Sequence, residues 1–236
     1  MPYLNNDAME KIAARVLHAY WKLPMAQETP WYVDPDLLLS ELLGLTIQFR
    51  HLSNDGLTLG LTSYGPISLE LPDCEPGEVL YLDGKTVLIE KDLEKPDSVV
   101  GRRNFTVMHE GCHHILNMLY PGAYNGGEKD RRLIKYRLGK PRSSIGSEEW
   151  QADALTSCLL MPANLLRRNM RLVGLPEHLD YLNPVWRKQS YEQFVSLSDL
   201  MGVSKQALSY RMKKLRLLGE DQRDNPNRLL DVWRYC

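Results

Sequence analysis

His109-Glu110-Gly111-Cys112-His113 reads H-E-x-x-H. On a helix, residues four apart share a face, so His109 and His113 can grip one metal ion. Glu110 then stands beside that ion, placed to take a proton from its bound water. With six His and fifteen Glu in 236 residues, random placement would give this pattern about 0.01 times in such a length. The chemistry it equips is zinc-dependent hydrolysis, which needs two further things: a real helix and a third ligand.

Both are legible. Phe105, Met108, Cys112, Ile115 and Leu119 recur at spacings of three or four, an apolar stripe of helical period. Thr106, His109, Glu110 and His113 share a neighbouring face, and Pro121-Gly122 ends the run. Arg102 and Arg103 near the start oppose the helix dipole and are expected to meet carboxylates elsewhere. Downstream, Ser147 to Met161 predicts a second helix, with Ser147 as its cap and Pro162 as its stop. There a carboxylate would complete a His₂Glu site and leave the fourth position for water. Glu148 and Glu149 compete for that place. Glu149 is preferred because only it pairs at i+4 with Asp153, which can receive the second N–H of a ligand histidine.

These residues resemble a known family. Phe105-Thr106-Val107-Met108-His109-Glu110-Gly111-Cys112-His113-His114, then Glu149-Trp150-Gln151-Ala152-Asp153 and Leu159-Leu160-Met161-Pro162, look like the ImmA/IrrE metallopeptidases, gluzincin-like proteins of bacteria and their phages. The family pattern is F-T-x-x-H-E-x-x-H, then E-x-x-A-N/D, then L-L-M-P. The resemblance covers roughly residues 30–215 and is sharpest over 102–162. It implies one zinc ion per chain on His109, His113 and Glu149, with Glu110 as catalytic base and a zincin-like fold. It also implies a protein substrate, a repressor-type transcription factor encoded nearby. Two departures stand out: Gly111-Cys112, where Leu-Gly is commoner, and a long basic stretch from Tyr124 to Ser147.

The motif contains no transition-state stabiliser. His114, Tyr124 and His178 are the candidates. His114 lies about 100° round the helix from His113, which suits a packed role equally well.

Composition sets the bounds. A hydrophobic share of 43% and a charged share of 25% are those of a soluble globular protein. No run of eighteen apolar residues is present, and Met1 to Asp7 lacks the basic start and apolar core of a signal peptide. The four cysteines have neither metal nor disulfide spacing, so Cys112 and Cys158 read as small buried hydrophobes and the compartment as cytoplasmic. Residues 1–100 carry a net −9, and the segments 101–186 and 187–236 carry +4 each. The acidic half does not suit nucleic acid, and the basic excess of the rest is modest.

The expected class is α+β: a zincin-like domain over 1–185 with a small, mostly antiparallel sheet, followed by a helix-turn-helix-like segment over 186–236. Within the first unit, helices and sheet occupy 1–100 and the site helices 101–172. Helical spacing marks 7–21, and Asp34-Pro35 opens a second helix that Gly44 closes. Strands are expected at 45–50, 57–61 and 66–71. Val79 to Leu82 and Lys85 to Glu90 flank Asp83-Gly84, a hairpin signal and the candidate edge for holding an extended peptide. Arg131, Arg132, Lys135 and Arg137 sit in a loop-like stretch, on a short helix at most. Near the end, Gly202 would make a turn and Ser204 cap a helix presenting Lys205, Gln206, Ser209, Tyr210 and Lys213 outward. Packing of this helical pair on the rest of the chain is the preferred reading, and contact with duplex DNA the second.

The functional expectation is a zinc-dependent endopeptidase that cleaves a repressor-like protein. The alternative is a zinc-containing regulator that binds a repressor or DNA without cutting.

Overall fold

A computed structural model describes residues 4–75, 77–95, 99–124, 133–137 and 146–219. Asn5 caps α1 (Asn6–Tyr20) by accepting from the Ala8 N–H at 3.0 Å. After the short α2 (Pro24–Glu28), Asp34 caps α3 (Pro35–Leu37) through the Asp36 and Leu37 N–H groups. The chain continues as a π-helical turn over Leu38–Leu42 and leaves it at Gly44, whose φ of +65° closes the helix.

Five strands follow: β1 (Thr46–Arg50), β2 (Thr58–Ser63), β3 (Ile67–Leu69), β4 (Leu80–Leu82) and β5 (Thr86–Glu90). A 3₁₀ turn over Lys91–Leu93 leads to α4 (Val100–Leu119), the helix carrying the H-E-x-x-H residues. Then come α5 (Pro121–Tyr124), β6 (Leu133–Arg137), α6 (Ser147–Leu160), α7 (Ala163–Leu172), α8 (Lys188–Leu200) and α9 (Lys205–Lys214). The result is α+β. Gly146 rather than Ser147 is the N-cap residue of α6, and no side chain caps that helix.

The main sheet runs β1-β5-β2-β6 and is mixed: β1 and β5 are parallel, while β2 pairs antiparallel with β5 and β6, so antiparallel pairing predominates as expected. The Asp83-Gly84 hairpin does not form. β4 pairs with β3, and β5 lies between β1 and β2. Gly84, with a φ of +86°, turns the chain from one sheet to the other. Packing dictates this: Leu82 and Leu88 join Leu52, Leu61 and Leu71 in an apolar layer between the sheets. The basic stretch also differs from its reading, since Lys135 and Arg137 lie on strand β6 and not on a short helix.

β2 carries a bulge. Thr58 opposes Arg137 and Gly60 opposes the adjacent Tyr136, so Leu59 is the surplus residue. Beyond it, Leu61 enters the layer between the sheets while Thr62 bonds to α4. The metal-motif helix α4 packs on β2 and β5 on one side and on α6 on the other, and α1 packs on α6. Arg103 finds its carboxylate in Asp36, at 2.6 and 3.0 Å. Cys112 and Cys158 are buried among the apolar residues.

The same main core takes in Phe194, Leu197, Met201, Leu208 and Met212 of α8, α9 and their connecting turn. Gly101, at the start of α4, lies so close to that turn that a Cβ would fall 2.3 Å from the Ser204 nitrogen. The Asn104 amide donates to the Gly202 carbonyl at 2.9 Å. Arg211 of α9 is buried and donates to the Met161 carbonyl and to both oxygens of Glu10 on α1. Among the described residues no helix is long and apolar enough to cross a membrane.

Candidate metal centre

The i,i+4 spacing on α4 brings the His109 and His113 Nε2 atoms to 3.0 Å from each other. α6 crosses opposite and delivers Glu149: Oε2 lies 3.3 Å from His109 Nε2 and Oε1 3.7 Å from His113 Nε2. One donor atom from each of the three lies within 4.8 Å of the others, and both rings are fully buried. Two imidazoles and a carboxylate converging on one point form a group that can hold a metal ion, and borderline ions such as zinc suit that donor set.

The surroundings fix the rings. Asp153 Oδ1 sits 3.0 Å from His109 Nδ1, as an ion pair and not an in-line hydrogen bond. Tyr64, just after β2, lies with its hydroxyl 3.4 Å from His113 Nδ1 and donates to Glu148 at 2.8 Å. Glu148 therefore stands behind His113, while Glu149 reaches both Nε2 atoms. In the metal-free protein the two rings divide the work of carrying charge. Burial opposes protonation of His109, but Asp153 and Glu149 prevail and push it up to about 10. Burial, together with the charge on His109, holds His113 well below the ordinary histidine value.

Glu110 is the anomaly. Its side chain is fully buried, and neither carboxylate oxygen has a hydrogen-bond partner among the described residues. Burial pushes it up to about 8, the neighbouring His109 pulls it down, and Glu149 adds to the rise. Room for this carboxylate comes from Gly60 on β2, where a Cβ would lie 2.1 Å from Glu110 Oε1. A buried acid with no hydrogen-bond partner among the described residues, beside a trio that can hold a metal ion, is arranged for a partner from outside the fold.

The sequence candidates for transition-state stabilisation fare differently. His114 points away from the donor trio and meets Thr62 Oγ1 at 2.6 Å, and burial lowers it to about 4, so it ties α4 to β2 as a neutral ring. His178 bonds to the Arg216 carbonyl at 3.0 Å near the end of the described chain. The side chain of Tyr124 lies outside the described residues. The structure brings forward a residue that sequence reading passed over: Tyr136 of β6. Its ring lies 4.2 Å from that of His109 between centroids. Burial raises its hydroxyl, and the charges of Asp153, Glu110 and Glu149 raise it further. Tyr64 and Gly60 were equally unmarked.

No family model matches the chain. No curated protein matches it either.

Proposed function

We propose that this chain is a zinc-dependent endopeptidase of the ImmA/IrrE type that cleaves a repressor-like regulatory protein. One observation carries the reading: a His109–His113–Glu149 donor trio stands beside Glu110, a buried carboxylate with no hydrogen-bond partner among the described residues. An ion held by those three residues would supply a Lewis acid and a water of lowered pKa.

The chain's own residues do the rest. Glu110 accepts the proton of the attacking water on a carboxylate oxygen and returns it to the leaving amine. Burial favours the neutral form of this carboxyl and the charge of a bound ion would favour the carboxylate, so the side chain stands between the two forms the reaction needs. Asp153 orients the His109 ring, and the Tyr64–Glu148 pair restrains that of His113. Tyr136 is assigned the hydrogen bond to the developing oxyanion. β6, an edge strand among the described residues, takes the role sequence reading gave to the Asp83-Gly84 hairpin: it holds an extended peptide by strand addition.

The test is metal content and cleavage measured together, with the neighbouring repressor-like gene product as the first substrate. Wild-type protein should bind one zinc and cut. His109→Ala should lose the metal, and Glu110→Gln should keep it without cutting. Cleavage that survives in Glu110→Gln would sink the proposal.

A second reading, a non-catalytic regulator that touches DNA, is favoured by the exposed Lys205 and Lys213 on α9. It requires a salt-dependent shift of duplex DNA that disappears in Lys205→Ala with Lys213→Ala.

A further inference from the structure

The metal-facing stripe of α4 does not stop at His109. One turn back it carries Thr106 and two turns back Arg102, about 10 Å along the axis from His109. Beside this stretch opens a cavity of about 720 Å³ that shares Tyr136 and Asp153 with the metal centre. Its far wall is α9, through Gln206, Tyr210 and Lys214. The face of α9 that a DNA reader would present is thus partly turned onto a cavity that borders the metal centre through Tyr136 and Asp153.

The lining has a definite chemistry. Phe105, Tyr136, Trp150 and Tyr210 supply aromatic surface, and Trp150 and Tyr210 are 40% and 54% exposed. Two exposed cations, Arg102 and Lys214, border it, and neither has an ion-pair partner within 4 Å among the described residues. Among the described residues the one carboxylate in the lining, Asp153, is drawn to His109 at 3.0 Å. Glu10, whose carboxylate feels the charge of Lys214, is already held by Arg211. The cleft therefore offers positive charge over an apolar floor, and the complementary group is a carboxylate on a chain that also has apolar stem to bury.

We infer that this cavity is the specificity pocket of the peptide cleft, and that Arg102 and Lys214 receive an acidic side chain of the substrate. The inference rests on the peptidase reading above. An extended peptide advances about 3.3 Å per residue, so the acidic residue lies roughly three positions from the bond that is cut. Tyr210 and Gln206 make α9 part of the substrate site.

The experiment has two arms, both on the full chain loaded with zinc. In the first, a proteome-derived peptide library is digested and the cut sites are read by mass spectrometry. The expected result is enrichment of Asp and Glu at one position two to four residues from the cut. Arg102→Glu with Lys214→Glu should reverse that preference to Lys and Arg with zinc content unchanged. Cleavage with no acidic preference, or a preference the double variant keeps, overturns the inference and leaves the peptidase reading intact.

The second arm does not depend on turnover. Glu110→Gln protein is titrated with fluorescein-labelled random heptapeptide pools that carry either Glu or Gln at the central position. The Glu pool should bind about tenfold more tightly, and Lys214→Glu should erase the difference. Equal binding of the two pools overturns the inference. So does competition by a single-stranded oligonucleotide that displaces the peptides completely, which would assign the cations to nucleic acid. If the library is untouched by wild type while the Glu pool still binds selectively, the peptidase reading fails and the acidic-peptide pocket stands.

Discussion

Glu110 and Arg211 are both buried ionisable side chains on helices that meet α6, yet their surroundings are opposite. Arg211 donates to the Met161 carbonyl and to both oxygens of Glu10, which leaves its charge paired and its donors used. Among the described residues Glu110 has neither oxygen satisfied, and it borders on three side chains that can hold an ion between them. The first pattern closes a core. The second leaves an unmet electrostatic demand, which proteins tolerate where an external partner is to be bound. Burial alone separates nothing here, and what distinguishes the two is whether the protein completes the hydrogen bonding itself.

The comparison can be broken most sharply at Glu110. In Glu110→Gln, peptide hydrolysis should fall by about 10²–10⁴-fold with zinc retained. Thermal unfolding of the metal-free variant should occur no lower than that of wild type, because the substitution removes a frustrated acid and not a stabilising contact. A clear loss of melting temperature would show that Glu110 has a structural partner after all.

The converse applies to Arg211. Arg211→Ala strands Glu10 and the Met161 carbonyl, and should cost about 2–3 kcal/mol in chemical denaturation, below the figure for a fully buried broken pair because Glu10 is 37% exposed. Zinc bound per folded molecule should not change. A variant as stable as wild type would remove the contrast.

Asp153→Asn tests the intermediate case, a charge whose partner is itself a donor to the metal. Zinc affinity, read by chelator competition, should weaken by about 10–100-fold. Cleavage per bound zinc should change less.

Per pH unit the expected effect is smaller. In the metal-free protein His109 is pushed up to about 10, so at neutral pH its ring carries a proton that zinc must displace. Apparent zinc affinity should therefore rise with pH below that value, by about tenfold per unit for one displaced proton. Competition titrations at pH 6, 7 and 8 check the sign. A flat profile would mean that His109 is neutral before the metal arrives.

Where function is encoded within single helices, the sequence was readable. His109 and His113 meet because four residues make one turn, and Glu149 and Asp153 share a face of α6 for the same reason. The Asp34 cap on α3 and the Gly44 exit were equally local. The missed residues depend on pairing across the chain. Ile134-Lys135-Tyr136-Arg137 does alternate, but its charges read as loop, and nothing local places Tyr136 opposite Gly60. Gly60 matters through the side chain it lacks, which no periodicity records. Asp83-Gly84 marks a turn correctly, but the pairing partners on either side were chosen by the leucine layer between the sheets. The preference for packing of the α8–α9 pair rested on a weak charge bias, whereas its physical reason, Gly101 abutting Ser204 and Arg211 reaching Glu10, spans one to two hundred residues of chain.

Leu59, the unopposed residue of β2, has a consequence for how this cleft can vary. A regular strand would send it to the face opposite Gly60, yet it is buried in the main core and is also one wall of the cavity beside the metal centre. The irregularity of the ladder thus sets the contour of the groove, and a substitution of this one side chain reshapes that wall from within the sheet.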